Sequence, residues 1–338
     1  AINYNVLPFT MAPASAMRLC AWANAKDGDY ADLLAHGNNI FITPLPPVTR
    51  DAKGGVTSLD TTAMDHVLQQ LAGHDVMLLL QGLPALQGDV GSAGYITELT
   101  GYLAALTRHL AEKGIDLAHF ALYPYDEPGV NGWGVVNNFV AFGKAVRAAN
   151  PAVQIYQDGS FELPMAKVME PVTDIWTPSI FDLPKQSEVM DLVRGSGKAL
   201  WSYNCGYLYS RPTGPNLKNI NIVAEYRNAA LYALNYGASA IGYWSYNIGS
   251  DLWTRSWEEY ALVYPGDGQP ITSRRWEAVR EGLEDARILI ALKELASNTT
   301  NTSFQECVRR LCEEPLAALL NQSNEEMRLG LARYVLDA

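Results

Sequence analysis

Short runs rich in β-forming residues alternate with longer helical patterns along almost the whole chain. Eight runs have the length and composition of strands, at residues 18–23, 39–43, 76–81, 119–125, 154–157, 174–178, 199–204 and 240–246. Eight helical patterns follow them in turn, at residues 29–36, 61–72, 93–113, 135–149, 164–171, 187–195, 223–236 and 273–296. Connections of this length do not form hairpins, so the strands must run parallel and be joined by crossover helices.

Eight such units predict an α/β fold, a closed (β/α)8 barrel of the TIM type. The alternative is an open doubly wound sheet, but its usual GxGxxG sequence does not follow the first strand, where residues 20–24 read CAWAN. No Pro- or Ser-rich linker interrupts the alternation. We therefore expect a catalytic barrel over residues 1–297 and a helical C-terminal extension over residues 298–338 that packs on it.

Charge and hydropathy exclude several classes of partner. The 338 residues carry 25 Lys and Arg against 36 Asp and Glu, a formal net charge of −11 with no dense basic run, so nucleic acid is not expected. No apolar run reaches the roughly 18–20 residues of a membrane span. The start has neither the basic nor the apolar region of a signal peptide, and a first residue of Ala1 indicates a trimmed or processed product. We expect a soluble protein without a membrane partner.

Cofactor chemistry has little support in the sequence. The four cysteines lack CxxC spacing, and the five histidines do not cluster. Neither a metal site nor a disulfide framework is therefore expected, and without a phosphate-binding loop we expect no cofactor.

The fourth predicted strand ends in the most reactive segment, Tyr125-Asp126-Glu127-Pro128. In (β/α)8 barrels the chemistry lies at the C-terminal ends of the strands. Because Pro128 disrupts the regular alternation, both carboxyl side chains can turn toward the mouth of the barrel. Two acids so close should have separated pKa values, which gives a general acid beside an ionised carboxylate. The alternative is a polar loop in which one acid caps the next helix.

Aromatic side chains crowd the other predicted strand ends, as a sugar-stacking pocket would require. Taken singly, each is more typical of a core than of a ligand wall, but together they make carbohydrate the leading ligand class. They are Trp22, Trp176, Trp201, Tyr203, Tyr207, Tyr243, Trp244, Tyr246 and, just beyond, Trp253.

The seventh and eighth predicted strand ends lack a second acid, and this bears on the kind of sugar chemistry. A retaining glycosidase with its own nucleophile needs a second carboxylate about 5 Å from the acid. The seventh and eighth strand ends, at residues 201–204 and 243–247, carry none. A substrate's 2-acetamido carbonyl can attack instead, and this mechanism needs two adjacent carboxyl groups: one protonates the leaving oxygen and the other holds the acetamido N–H. Asp126 and Glu127 fit that requirement.

Several short motifs follow one another in an order that can be compared with known families. In chain order they are Tyr125-Asp126-Glu127-Pro128, Trp201-Ser202-Tyr203-Asn204-Cys205, Glu225-Tyr226-Arg227, Gly242-Tyr243-Trp244-Ser245-Tyr246-Asn247, Tyr264-Pro265-Gly266-Asp267-Gly268, Ile271-Thr272-Ser273-Arg274-Arg275-Trp276-Glu277 and Arg280-Glu281-Gly282-Leu283-Glu284-Asp285. In order and spacing this series resembles the barrel of glycoside hydrolase family 123 and its relatives. The resemblance implies a β-N-acetylgalactosaminidase-type activity with a substrate-assisted retaining mechanism. It also implies that Glu127 is the general acid/base and that Asp126 orients the acetamido group.

Two features differ from the family pattern. Family members usually carry a β-sandwich domain ahead of the barrel, whereas this chain begins almost at the first predicted strand. Ser202 and Asn204 stand where an aromatic residue and a Thr are typical. The second difference bears on sugar specificity more than on the reaction.

The other strand ends are expected to supply the substrate contacts. Tyr203 or Tyr246 would donate a hydrogen bond to the acetamido oxygen, and Trp244 or Trp201 would form an apolar floor. The full set of expected substrate-binding residues is Trp22, Tyr125, Asp158, Trp176, Trp201, Tyr203, Asn204, Trp244, Tyr246 and Asn247.

Two other functions stay open. An inverting or conventional retaining glycosidase, acting on a sugar without an acetamido group, would use Glu127 with Asp158 or Asp251; carboxyl separations of about 6.5–9.5 Å and about 5 Å distinguish these two mechanisms. A catalytically silent barrel would bind glycans through the same aromatic residues. The charged residues of the last predicted helix are expected to form structural ion pairs such as Arg280–Glu284.

Overall fold

The computed structural model describes residues 10–52, 56–204, 222–249, 252–253 and 261–313. Its strands are Arg18–Ala21 (β1), Ile40–Pro44 (β2), Val48–Arg50 (β3), Val56–Leu59 (β4), Met77–Gln81 (β5), Phe120–Tyr123 (β6), Gln154–Asp158 (β7), Ile175–Thr177 (β8), Ala199–Leu200 (β9), Ser202–Asn204 (β10) and Ala240–Tyr243 (β11). Its α-helices are Asp27–Ala35 (α1), Thr62–Gln70 (α2), Ala93–Glu112 (α3), Trp133–Ala149 (α4), Leu163–Met169 (α5), Glu188–Gly195 (α6), Ala229–Asn235 (α7), Arg274–Asn298 (α8) and Thr302–Glu313 (α9). A π-helical turn, Val223–Arg227, precedes α7.

The parallel strands form a (β/α)8 barrel, which confirms the predicted fold class. Six strands pair in the order β2-β5-β6-β7-β8-β9, and β1, β11 and β10 pair beside them. β9 and β10 are two halves of one strand interrupted at Trp201, whose N–H donates to the carbonyl oxygen of Trp176 at 2.8 Å. The two sheets are therefore continuous at this point, and all eight predicted strands and eight predicted helices are present with small shifts at their ends.

Two buried asparagines close the barrel between β1 and β2. The N–H of Asn39 donates to the carbonyl of Leu19 at 3.1 Å, and its Oδ1 accepts from the N–H of Leu19 at 3.0 Å. Asn38 Oδ1 accepts from the N–H of Ala21 at 2.6 Å. Amide side chains thus satisfy backbone groups at a seam where the two strands are not joined by a regular ladder.

Side chains alternate along each strand between the barrel interior and the layer under the helices. The inward set is smaller and ends in aromatic and polar groups toward the C-terminal edge. Its buried members are Cys20, Trp22, Ile40, Met77, Leu79, Ala121, Tyr123, Tyr156, Ile175, Trp201, Tyr203 and Ala240. The residues between them, such as Leu78, Leu122 and Trp176, belong to the larger cluster that packs against the helices.

A pair of short strands and a C-terminal helix lie outside the predicted alternation. β3 and β4 pair antiparallel between β2 and α2. After the barrel, α9 packs on α8 through the buried Phe304 and Val308, and Gln305 Nε2 donates to the carbonyl of Ala296 at 3.2 Å. The expected extension over residues 298–338 is described only as far as residue 313, so its boundary stays a prediction.

Ion pairs join α8 to the π-helical turn. Arg227 Nε contacts Asp285 Oδ2 at 2.8 Å and Arg227 Nη1 contacts Glu281 Oε2 at 2.6 Å. A Cβ on Gly282 would lie 2.0 Å from the carbonyl oxygen of Arg227, so only glycine permits this approach. Arg280 and Glu284 pair at 2.6 Å, as predicted. The motif residues near the chain's last barrel helix therefore hold it in place.

In the described part of the chain, no helix is both long and apolar enough to cross a lipid bilayer.

We expect Asn38→Ala to destabilise the barrel by about 1–3 kcal/mol, because the buried N–H of Ala21 loses its acceptor at the β1–β2 seam. The free energy of unfolding in urea measures the change. Asn138→Ala on the exposed face of α4 is the matched control, for which we expect a change within about 0.5 kcal/mol. Equal effects of the two substitutions would mean that the seam does not depend on Asn38.

Candidate active site

Three carboxyl groups line one cavity at the C-terminal end of the barrel. Asp126 and Glu127 follow β6, and Asp158 is the last residue of β7. The cavity has a volume of about 300 Å³, and the other described residues that line it are Trp22, Tyr203 and Trp244. No Lys or Arg is among these six lining residues, so the cavity has an acidic and aromatic surface.

A buried tyrosine joins two of the three acids. Tyr123, the last residue of β6, points into the barrel and is fully buried. Its hydroxyl oxygen lies 2.6 Å from Asp126 Oδ1 and 2.6 Å from Asp158 Oδ2. The exposed carboxyl of Asp126 and the buried carboxyl of Asp158 are thus coupled through one phenol oxygen.

Glu127 is held by its backbone and by its side chain. Its N–H donates to Asp158 Oδ1 at 3.0 Å, and the Tyr203 hydroxyl donates to its Oε1. Asn131 Nδ2 donates to the carbonyl oxygens of Asp126 and Glu127, at 2.9 and 3.1 Å. These bonds fix Glu127 at a φ of 40°, a left-handed conformation that costs free energy for a residue with a side chain.

The loop that carries Glu127 lies directly against the loop after β7. A Cβ on Gly159 would lie 2.9 Å from Glu127 Cβ, and one on Gly129 would lie 2.5 Å from Phe161 Cβ. Gly159 also has a φ of 88°. Glycine at both contact points lets the two loops approach closely enough for Asp158 to reach the backbone of Glu127.

The surroundings of Asp158 raise its proton affinity. Burial raises the pKa of Asp158 to about 7; the hydrogen bonds from Tyr123 and from the N–H of Glu127 oppose this rise, and the charges of Asp126 and Glu127 add to it. Burial together with the Asp158 charge also raises the pKa of Tyr123 well above its ordinary value, so its phenol stays protonated.

Aromatic rings form the cavity wall. Trp22 lies 5.9 Å from Tyr203 between ring centroids, and its indole occupies the space where Gly242 has no side chain. Trp244 is 41% exposed, its N–H donates to the carbonyl of Asn204 at 3.0 Å, and the peptide bond to Ser245 is cis. An exposed indole beside an acidic group is a surface on which the apolar face of a sugar ring can stack.

Of the predicted substrate-binding residues, Trp22, Asp158, Tyr203 and Trp244 lie on this cavity with Asp126 and Glu127. Trp201 and Asn204 are buried, Trp201 beside Tyr156 at 5.9 Å between centroids. They lie beneath the cavity surface and do not line it.

Four other predicted residues lie away from the cavity. Trp176 points outward and packs on Phe161 at 5.1 Å, and the half-buried Tyr125 packs against the same outer cluster. The remaining two contact the first helix: the buried Tyr246 donates to Asp32 Oδ2 at 2.7 Å, and Asn247 Nδ2 donates to Asp29 Oδ2 at 3.2 Å. Asp251, Tyr207 and Cys205 fall outside the described residues.

Three residues with a clear structural role at the site were not predicted, namely Tyr123, Asn131 and Gly159. Alternation could have indicated Tyr123, because it is two residues beyond the inward-facing Ala121 on β6. The Asn131-Gly132 and Asp158-Gly159 pairs are turn signals that mark the two loops. Among the residues that the structure describes, no group of three or more His, Cys, Asp and Glu side chains is arranged to hold a metal ion.

Comparison with known families and structures places this geometry in context. The family model described as glycoside hydrolase 123, catalytic domain, matches residues 82–292. The chain belongs to glycoside hydrolase family 123. Its cavity at the barrel mouth is the candidate active site of a family 123 catalytic domain.

A solved structure of the same family agrees with this fold. A family 123 glycoside hydrolase from Clostridium perfringens, described for glycolipid glycan hydrolysis, has a TM-score of 0.57 and 12% identity over 86% of this chain and 62% of that chain. This chain thus spans less than two thirds of that protein. A glucosidase from Croceicoccus marinus has a TM-score of 0.49 and 12% identity over 76% of this chain and 62% of that chain. A search of curated proteins finds none that matches this chain.

We expect Gly159→Ala to lower kcat/KM by about ten-fold or more, because its Cβ would displace Glu127, and a shift of about 1 Å at a catalytic group costs up to about 100-fold. Gly197→Ala is the matched control, since Gly197 has a φ of 70° and no atom within 4 Å of the added Cβ. Both variants carry about 1 kcal/mol of backbone strain. If both variants lose equal activity, strain and not contact with Glu127 is responsible.

Proposed function

We propose that this family 123 enzyme is a retaining glycoside hydrolase that removes β-linked N-acetylgalactosamine, or N-acetylhexosamine, through an oxazolinium intermediate formed by the substrate itself. The observation that carries the proposal is the position of Asp126 and Glu127 on one cavity. Adjacent carboxyl groups are what this mechanism requires, since one must transfer a proton and the other must hold the acetamido N–H.

The third acid of the cavity is poorly suited to act as a nucleophile. Asp158 Oδ1 accepts the N–H of Glu127, and Asp158 Oδ2 contacts the Tyr123 hydroxyl, so neither oxygen is without a protein partner. Asp158 is only 3% exposed to solvent, and its pKa of about 7 makes the carboxyl group partly neutral at neutral pH. An acid that is neutral and whose two oxygens are both hydrogen-bonded is a poor nucleophile. This favours attack by the substrate's own carbonyl over attack by Asp158.

In the first step, Glu127 donates a proton to the glycosidic oxygen while the acetamido carbonyl oxygen attacks the anomeric carbon. The C–O bond to the leaving group breaks, its electron pair remains on the departing oxygen, and the leaving group is released as an alcohol. Asp126 accepts a hydrogen bond from the acetamido N–H, which becomes more acidic as positive charge develops on the ring. Retention of configuration begins with this first inversion.

In the second step, Glu127 takes a proton from water as the water oxygen attacks the anomeric carbon. The bond between that carbon and the acetamido oxygen breaks, which restores the acetamido group and inverts the centre a second time. The acidic cavity favours both transition states, because each places positive charge between carboxylates, and none of the described lining residues is cationic. Trp244 and Trp22 supply apolar surface for the sugar ring.

Substitution of the two carboxylates tests their separate roles. We expect Glu127→Gln to lower kcat/KM by about 100- to 10,000-fold on a β-N-acetylgalactosaminide with a poor leaving group, because no proton reaches the departing oxygen. The loss should shrink with a dinitrophenyl leaving group, which departs without protonation. Asp126→Asn should be comparably damaging on acetamido sugars whatever the leaving group.

The control is Glu162→Gln, an exposed carboxyl outside the cavity, for which we expect activity within a factor of two. Equal sensitivity of Asp126→Asn to N-acetylgalactosaminides and plain galactosides would contradict substrate assistance. It would favour a glycosidase that uses Glu127 with Asp158.

The nucleophilicity of the acetamido group can be changed directly. We expect kcat/KM on nitrophenyl glycosides to fall steeply from N-acetyl to N-fluoroacetyl to N-trifluoroacetyl, because fluorine withdraws electrons from the attacking carbonyl oxygen. Steady-state kinetics with wild-type protein measure the trend. A flat series would show that the carbonyl does not attack, and an enzyme nucleophile or water would replace it in the mechanism.

A further inference from the structure

We propose that Asp158 is a positioning residue that acts as a neutral carboxylic acid: it donates to Tyr123, Tyr123 donates to Asp126, and these two hydrogen bonds keep Asp126 aimed into the cavity. The proposal deepens the proposed function, on which the role of Asp126 rests. The state of Asp158 itself can be tested without any substrate.

The Tyr123 hydroxyl has one proton for two short contacts. The Tyr123 oxygen is 2.6 Å from one oxygen of Asp126 and 2.6 Å from one oxygen of Asp158. Each of these short contacts needs a hydrogen between its two oxygens, and a phenol carries only one. The second hydrogen must therefore be on a carboxyl group, since two carboxylates facing one phenol would leave a lone pair opposed to a negative charge.

Burial decides which acid carries that proton. Asp158 is 3% exposed, whereas Asp126 is exposed to solvent, which stabilises its charged form. A neutral Asp158 also satisfies its own contacts: its O–H donates to Tyr123 and its carbonyl oxygen accepts the N–H of Glu127 at 3.0 Å. The raised pKa of Asp158, about 7, agrees with this assignment.

Among the residues that the structure describes, no group forms an ion pair with Asp158. The groups that interact with it come from β1, β6 with its following loop, and β7, and they are acids, phenols and a thiol. They are Tyr123, Asp126, Glu127, Tyr156 and Cys20. Burial first, and then the charge of Asp158, raises the pKa of Cys20 and the pKa of Tyr156. Tyr203, from β10, contacts Glu127 on the same cavity.

Loss of the proton from Asp158 should disturb both catalytic carboxylates. Two carboxylates would then compete for the single proton of the Tyr123 hydroxyl. If Tyr123 donated to Asp158, Asp126 would lose its hydrogen bond; if it donated to Asp126, the negative charge of Asp158 would lie against the Tyr123 oxygen without a hydrogen between them. The N–H of Glu127 binds Asp158 as well, so the loop carrying the acid/base would also move with the new charge. Asp158 would therefore control activity without contacting the reacting atoms.

A pH profile separates this effect from proton donation by Glu127. With a dinitrophenyl N-acetylgalactosaminide, departure of the leaving group needs no proton from Glu127, so the alkaline limb of kcat/KM reports on other groups. We expect wild-type kcat/KM to fall as pH rises through about 7. Asp158→Asn, whose amide N–H permanently replaces the carboxyl proton, should show no fall in that range.

Two further variants keep the test independent of one substitution. Tyr123→Phe keeps the ring packed on Tyr156 but removes both hydrogen bonds of the hydroxyl, so we expect at least a ten-fold lower kcat/KM and a displaced alkaline limb. Tyr102→Phe removes a buried hydroxyl that donates to the carbonyl of Pro46 and takes no part in these hydrogen bonds, so it should leave both the rate and the profile unchanged. Profiles of Asp158→Asn or Tyr123→Phe that superimpose on wild type would overturn the proposal.

The measurement without substrate is stability against pH. The folded-state pKa of Asp158, about 7, lies above its ordinary value of 3.8, so the folded protein holds an extra proton between these values. The free energy of unfolding of wild type, relative to Asp158→Asn, should therefore fall as pH rises from 4 toward 7. A constant difference would overturn the neutral state of Asp158, whereas the expected slope together with an inactive enzyme would count against the proposed sugar chemistry alone.

Discussion

Alternation of side chains along parallel strands decides which residues can reach the cavity. Tyr123 and Asp158 end neighbouring strands and both point inward, so their oxygens meet beneath the barrel mouth at 2.6 Å. Trp176, one position out of phase on the next strand, points toward the helices and is fully buried there. A strand end is therefore not enough to place a residue in the site; the phase of the strand must also be right.

The order of elements could be predicted from sequence because eight strand-and-helix units repeat the same local pattern, and all eight strands and helices are confirmed. The β3–β4 hairpin was missed although Gly54-Gly55 separates two short β-rich runs, a recognised hairpin signal. Its strands have only three and four residues, too few for a periodic pattern to be distinct from the surrounding loop.

The carboxylate pair after β6 could also be predicted, since the barrel fold puts the C-terminal end of each strand at the active-site face. The reason given from the sequence was wrong in one detail, because β6 ends at Tyr123, well before Pro128. What could not be predicted is how two loops about thirty residues apart fit together. Glu127 adopts a φ of 40° because Asn131, Asp158 and the missing side chain of Gly159 all act on it. Such a conformation depends on tertiary contacts, and no local pattern in residues 125–128 contains that information.

The cavity also solves an electrostatic problem. Three carboxyl groups line a cavity of about 300 Å³ in which none of the described lining residues is cationic, an arrangement that would be costly if all three were charged. The phenols of Tyr123 and Tyr203 reduce that cost by donating to carboxyl oxygens, and protonation of the buried acid removes one charge. The remaining negative field acts on whatever enters. An uncharged sugar gains little from it in the ground state, but a ring that becomes positive at the anomeric carbon gains much more, and this difference is what lowers an activation barrier.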